Sequence, residues 1–149
     1  MRKLIVSNFV TLDGYYDGKD GNLTGIFDYR HEDYADDDAF DHYNVERMQA
    51  ADTLLLSGRA SFLGNKAYWT SVPNDPNSTP IRREFAQLIN DIEKVVVSDH
   101  LTPDELAPWE NTRIVKRADA VKEVAALKQQ PGREIFLFAG RTLWNHLLV

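Results

Sequence analysis

Cysteine is absent from the 149 residues, which removes disulfide bonds, thiolate catalysis and cysteine-ligated zinc from consideration. Also missing is any apolar run near the roughly twenty residues of a membrane span, and the N-terminus lacks the apolar core of a signal peptide. No membrane partner is expected, and the default location is the cytoplasm. Basic residues are the minority, 17 lysines and arginines against 23 aspartates and glutamates, for a formal net charge of −6. Binding along a phosphate backbone needs a basic face, so the charge argues against a broad nucleic-acid surface and no nucleic-acid partner is expected, while a small anionic ligand is not excluded. No repeat, low-complexity tract or interdomain linker occurs, and residues 1–149 read as a single domain long enough to bury a core.

What the chain does have is a duplicated strand, glycine and arginine pattern. One copy is Thr53-Leu54-Leu55-Leu56-Ser57-Gly58-Arg59-Ala60-Ser61, and the other is Glu134-Ile135-Phe136-Leu137-Phe138-Ala139-Gly140-Arg141-Thr142. A strand that ends in glycine and leads into a helix presents bare backbone N–H groups and a positive helix end, where a phosphate is held favourably. The arginine adds a forked, permanently charged donor. Two such anchors in one small domain suggest a ligand with two separated anionic groups, such as a dinucleotide. Neither copy has the G-x-G-x-x-G spacing of a dinucleotide fingerprint or the spacing of a P-loop, so glycines that merely punctuate strand ends are the competing explanation.

Strand and helix signals alternate along the rest of the chain. Lys3 to Val10 suits a buried central strand, and Asp13-Gly14 marks a turn after it. Phe40, Tyr43, Asn44, Arg47, Met48 and Ala51 repeat at helical spacing ahead of the strand Thr53 to Ser57. Thr79-Pro80 opens a helix whose stripe is Ile81, Phe85, Leu88, Ile89 and Ile92, followed by the strand Lys94 to Ser98. A shorter strand within Trp109 to Val115 precedes a helix with Val121, Val124, Ala125 and Leu127 on one face; the last strand, Glu134 to Phe138, precedes a helix carrying Leu143, Trp144, Leu147 and Leu148. This alternation predicts right-handed crossovers and a three-layer α/β fold, a mostly parallel twisted sheet flanked by helices. With much of the negative charge between Asp28 and Asp41, the arginines Arg59, Arg113, Arg117 and Arg141 together with Lys94 are expected to form a local positive cleft.

The order of these pieces resembles the dihydrofolate-reductase-like superfamily, and within it the C-terminal reductase domain of the riboflavin deaminase-reductases. The matching segments are Thr11-Leu12-Asp13-Gly14-Tyr15, Gly58-Arg59-Ala60-Ser61-Phe62, Lys94-Val95-Val96-Val97-Ser98, Trp109-Glu110-Asn111-Thr112 and Ala139-Gly140-Arg141-Thr142-Leu143. The resemblance implies an NADPH-dependent reductase of a small heterocyclic or carbonyl substrate, similar to 5-amino-6-(5-phosphoribosylamino)uracil reductase. By it, the cofactor lies across the strands' carboxyl ends. Arg59 and Ser61 would take up adenosine-side phosphate oxygens, Ser98 would lie near the adenosine ribose phosphate, and the backbone of Gly140, Arg141 and Thr142 would bind the pyrophosphate, with Gly58, Ala60 and Leu143 completing the cofactor-binding residues. It also implies further C-terminal strands that this sequence lacks, so the chain is expected to be C-terminally incomplete, with an exposed apolar sheet edge that favours a homodimer.

Asp13 stands where the resemblance puts nicotinamide and substrate, and it is the candidate proton donor or orienting group; a turn-only role is the alternative. Tyr15, Tyr16, Phe27 and Trp69 could stack on a planar heterocycle or could be packing residues, and the loop Tyr16 to Thr24 is the candidate lid. The run His31, Asp33, Asp36, Asp37, Asp38, Asp41 and His42 has no metal-ligand spacing, so no metal site is expected and the acids read as a solvated helix N-terminus. A non-catalytic nucleotide-binding module and a flavodoxin-like flavin binder are the competing functional readings.

Overall fold

The computed structural model describes residues 1–16, 33, 37–138 and 140–147. Its strands are β1 (Leu4–Ser7), β2 (Ala51–Ser57), β3 (Glu93–Val97), β4 (Thr112–Val115) and β5 (Glu134–Phe138), and its helices are α1 (Ala39–Ala50), α2 (Arg59–Ser71), α3 (Pro80–Asp91), α4 (Ala120–Gln129) and α5 (Arg141–Leu147). The strands form one sheet in the order β1-β5-β2-β3-β4, and every pairing among them is parallel. The alternating α/β pattern is therefore realised as expected. None of the described helices is long and apolar enough to cross a membrane.

Alternation along each strand sorts the core into two layers. Leu54, Leu56, Val96 and Phe136 face one cluster with Val45 and Met48 of α1, Phe62 and Trp69 of α2, and Phe85 and Ile89 of α3. Leu55, Val95, Val97, Ile135 and Leu137 face the other, with Val124 and Leu127 of α4 and Leu143 of α5. This is the period-two rule of a strand applied to a sheet covered on both sides. The layering agrees with right-handed crossovers: steps toward β4 place α1, α2 and α3 on one face, and the return step from β4 to β5 places α4 on the opposite one.

Helix α3 begins as its sequence says. The Thr79 hydroxyl accepts the Arg82 N–H at 3.2 Å, and Pro80 occupies the first turn, where its missing N–H is harmless.

Several expectations are corrected. The first strand lies at the edge of the described sheet rather than its centre, and Val6 is accordingly half-exposed. In α4 the buried stripe is Ala120, Val124 and Leu127, while Val121 and Ala125, each one residue and so about 100° further round the helix, face solvent. In α1 the buried residues are Asp41, Asn44, Val45 and Met48, whereas Tyr43 is exposed and Ala51 already belongs to β2.

Asp41 is the more consequential of these. It is 2% exposed, not solvated, and accepts from Arg82 Nε of α3 at 2.7 Å; Arg82 in turn donates to the Tyr68 hydroxyl of α2 at 2.8 Å. One arginine thus ties together all three helices on that face. His42 faces Asp38 at 3.5 Å one turn away, and no group of metal-ligating residues forms among the described residues. His31 and Asp36 lie outside them.

At the opposite edge of the sheet from the glycine turns, Arg2 is buried between β5 and β2. It donates to Thr53 Oγ1 at 2.8 Å and to the Arg133 carbonyl at 2.7 Å, and it pairs with Asp52. Asp52 also accepts the Arg133 N–H at 2.7 Å, and a Cβ added to Gly132 would lie 2.6 Å from its Oδ2. Glycine is required here for space.

Candidate functional site

Because all five strands run the same way, their carboxyl ends, and the loops that follow, share one edge of the molecule. Strand β5 sits between β1 and β2. The chain leaves β2 into α2 on one face and leaves β5 into α5 on the other. Diverging connections from neighbouring strands open a crevice at the sheet's carboxyl edge, which is where ligands bind in open α/β sheets.

The two glycine turns flank that crevice and touch. Gly58 has φ 77° and ψ 142°, a backbone that side chains disfavour, and its N–H donates to the Val97 carbonyl at 2.9 Å, fastening the β2 turn to β3. Gly140 has φ 80°, and a Cβ there would sit 3.1 Å from Ser57 Oγ. The absence of a side chain is what lets the β5 turn pack against the end of β2. The β5 turn and the end of β2 therefore meet at this edge of the sheet.

Helix α2 runs for 13 residues, and no side chain caps its start. The first intrahelical bond is from the Phe62 N–H to the Gly58 carbonyl at 3.0 Å, so the N–H groups of Arg59, Ala60 and Ser61 point out of the helix end, at its positive pole. Arg59, Ala60 and Ser61 are exposed. At the second turn, Gly140 accepts from the Leu143 N–H at 2.8 Å, Leu143 is buried in the core beneath it, and Arg141 and Thr142 are exposed. The Arg141 N–H donates to the Tyr16 hydroxyl at 3.2 Å, and its guanidinium lies 5.5 Å from the centre of the Tyr16 ring. That contact brings the loop after β1 to the same edge.

Asp13 stands in this loop. Thr11 N–H donates to the Tyr15 carbonyl at 2.8 Å, Gly14 N–H donates to the Thr11 carbonyl at 2.9 Å, and the Thr11 hydroxyl donates to Asp13 Oδ1 at 2.5 Å. The turn is closed on itself and leaves Asp13 exposed. Tyr15 is exposed as well, while Phe27 and the candidate lid beyond Tyr16 lie outside the described residues.

Ser98 ends β3 at the same edge, but it is buried, and its hydroxyl accepts the N–H groups of His100 at 3.2 Å and Leu101 at 3.1 Å. The side chain is committed to shaping the turn, and the Ser98 N–H donates to the Val115 carbonyl at 2.9 Å, so this residue serves the end of the sheet. Of the two readings open for Trp69, packing is the one observed: it is buried edge-on to Phe85 at 4.9 Å, with its indole N–H on Asn65.

The expected positive cleft is dismantled by the fold. Lys94 is buried at the amino end of β3, where its ammonium donates to the carbonyls of Asn90 at 3.0 Å and Ile92 at 2.7 Å and to Asn111 Oδ1 at 3.3 Å, over the face of Trp109. Burial lowers its pKa from 10.5 to about 8. Arg113 pairs with Glu123 at 2.6 Å, and the Arg117 guanidinium lies 3.9 Å from Asp99. Only Arg59 and Arg141 of the five cations follow the two glycine turns.

Arg59 itself has a partner that sequence reasoning missed. Its Nε donates to Glu105 Oε1 at 2.7 Å, and its terminal nitrogen contacts the same oxygen. The other oxygen, Oε2, accepts the Thr102 N–H at 3.1 Å and the Thr102 hydroxyl at 3.0 Å. These hydrogen bonds, the largest being Arg59's, hold the Glu105 carboxyl at a pKa of about 2. The Thr102-x-x-Glu105 spacing is a visible capping signal, but nothing local points across 46 residues to Arg59. Asn8, just past β1, was also missed: its Oδ1 is buried with no hydrogen-bond partner among the described residues, so a ligand donor reaching it would satisfy an otherwise costly group.

Fold and site together define an open parallel α/β domain with two glycine turns converging at the carboxyl edge of its sheet. The chain belongs to the RibD C-terminal domain family, whose model matches residues 2–149. In structure it is similar to a protein of Shewanella sp. PV-4 assigned provisionally to riboflavin biosynthesis, with a TM-score of 0.51, 18% sequence identity, and coverage of 99% of this chain and 70% of that one. At that identity the likeness concerns the fold. Comparison with curated proteins yields no significant match.

Proposed function

We propose that this domain is an NADPH-dependent reductase of a small heterocyclic or carbonyl substrate, in the class of reaction used in riboflavin biosynthesis. The observation that carries the reading is the contact between the Gly140 turn and Ser57 beside the uncapped start of α2, in a chain that belongs to the RibD C-terminal domain family. Both turns fit a dinucleotide: one offers helix-start N–H groups beside Arg59, and the other offers a glycine backbone with no room for a side chain. Arg59, Ala60 and Ser61 would hold phosphate oxygens on the adenosine side, and Gly140, Arg141 and Thr142 would hold the pyrophosphate. When bound, the reduced nicotinamide supplies a hydride.

The chain's own residues have the remaining tasks of orientation and proton supply. Asp13 is held by the Thr11 hydroxyl in the loop after β1, and we assign it as proton donor or orienting group for the substrate. Tyr15 and Tyr16 flank it and offer aromatic faces to a planar ring.

Titration with NADPH, followed by nicotinamide fluorescence, should saturate below roughly 100 µM, within the usual range for such ligands. No binding at that concentration to folded protein refutes the proposal. Oxidation of bound NADPH by one of a panel of pterins and ribosylaminopyrimidines supports catalysis, and binding without oxidation marks a non-catalytic module of the same fold.

A further inference from the structure

Glu105 is placed to do more than cap a turn. Its two carboxylate oxygens divide their partners: Oε1 takes Arg59 at the start of α2, and Oε2 takes the Thr102 N–H and hydroxyl. Its backbone is fixed as well, because Lys66 of α2 donates to the Glu105 carbonyl and, at 2.8 Å, to the Ala107 carbonyl. The carboxylate is therefore a built part of the α2 entrance rather than a wandering surface acid. Arg59 is half-exposed, whereas the Glu105 side chain is 17% exposed, so the acid is the fixed partner and the arginine the one able to move.

A phosphate monoester approaching Arg59 meets an arginine already neutralised and a negative charge that cannot easily retreat. We infer that Glu105 sets the protein's discrimination between phosphorylated and unphosphorylated dinucleotides, by competing with the ligand's ribose phosphate for Arg59. This inference rests on the reductase reading, which places the adenosine end of the cofactor at α2. A dinucleotide without the extra phosphate has no quarrel with the carboxylate, and its free ribose hydroxyl is a donor that a carboxylate can accept. Removing the charge of Glu105 should thus favour NADPH selectively.

The test compares dissociation constants for NADPH and NADH, by nicotinamide fluorescence, in the wild-type chain and in Glu105→Gln. Glutamine keeps an oxygen for Thr102, as capping boxes allow, and removes the negative charge. The expected result is NADPH binding about fivefold tighter, the factor that the stronger exposed ion pairs represent, with NADH binding no tighter than before. In the Arg59→Ala background the same substitution should give no such gain. An NADPH to NADH ratio unaltered by Glu105→Gln, or a gain that survives Arg59→Ala, overturns the inference while leaving the reductase reading intact. Failure of the wild-type chain to bind either nucleotide overturns both. Should the glutamine variant melt early, Glu105→Ala keeps the main-chain clamp from Lys66 and is expected to show the same selective gain.

Discussion

The ammonium of Lys94 offers a quantitative check on the fold through pH. It is 1% exposed and bonded to three oxygens at the junction of α3, β3 and the strand that follows. Burial lowers its pKa from 10.5 to about 8. Below pH 8 the lysine is charged in both the folded and the unfolded chain, and the folded state bears the whole penalty of burying it. Between about 8 and 10.5 the folded chain gives up the proton while the unfolded chain keeps it. The unfolded state then binds more protons, so this group makes stability rise with pH. At 1.36 kcal/mol for each tenfold change in proton affinity, the shift from 10.5 to about 8 amounts to about 3 kcal/mol. That figure is a ceiling, since the three acceptors and the Trp109 ring all favour the charged form.

Lys94→Met removes the titration and strands the acceptors, so the variant is less stable throughout. The informative quantity is the gap between the two proteins, measured by urea unfolding at fixed ionic strength from pH 7 to 10.5. Groups common to both proteins cancel in that gap, which should widen in the wild type's favour by about 1–3 kcal/mol as pH rises. A gap that stays constant, or narrows, refutes the account of Lys94 as a buried cation.

Other outcomes follow from the same contacts. Arg82→Ala leaves the buried Asp41 carboxylate without its partner and should lower stability by about 3 kcal/mol in chemical denaturation. Gly132→Ala pushes a methyl to 2.6 Å from the Asp52 carboxylate that Arg2 and Arg133 hold, and should reduce the melting temperature through a loss of about 2 kcal/mol. Gly140→Ala meets both a positive φ and Ser57 Oγ at 3.1 Å; under the reductase reading it should raise the NADPH dissociation constant about tenfold, read by fluorescence titration. Asp13→Asn keeps an oxygen for the Thr11 hydroxyl, so thermal stability should hold while turnover falls about a hundredfold. Unchanged turnover would leave Asp13 as a turn residue alone.

Sequence by itself determined the alternation of elements, the parallel sheet, the cap at Thr79, the residues of β5 and the two glycine turns. Each of these depends on local rules, such as strand length, helical spacing, a proline at a first turn and a glycine before a helix, that neighbouring residues carry in full. Tertiary structure alone decided that β5 enters between β1 and β2, which moved the first strand to the edge and brought Gly140 onto Ser57. It also decided where charges go. Lys94, Arg113 and Arg117 look in the chain like members of one cleft, yet Lys94 is buried on nearby carbonyls and on Asn111, Arg113 and Arg117 are taken by Glu123 and Asp99, and Arg59 is taken by Glu105. Charge pairing is a matter of a few ångströms in space, and separation along a chain carries almost no information about it.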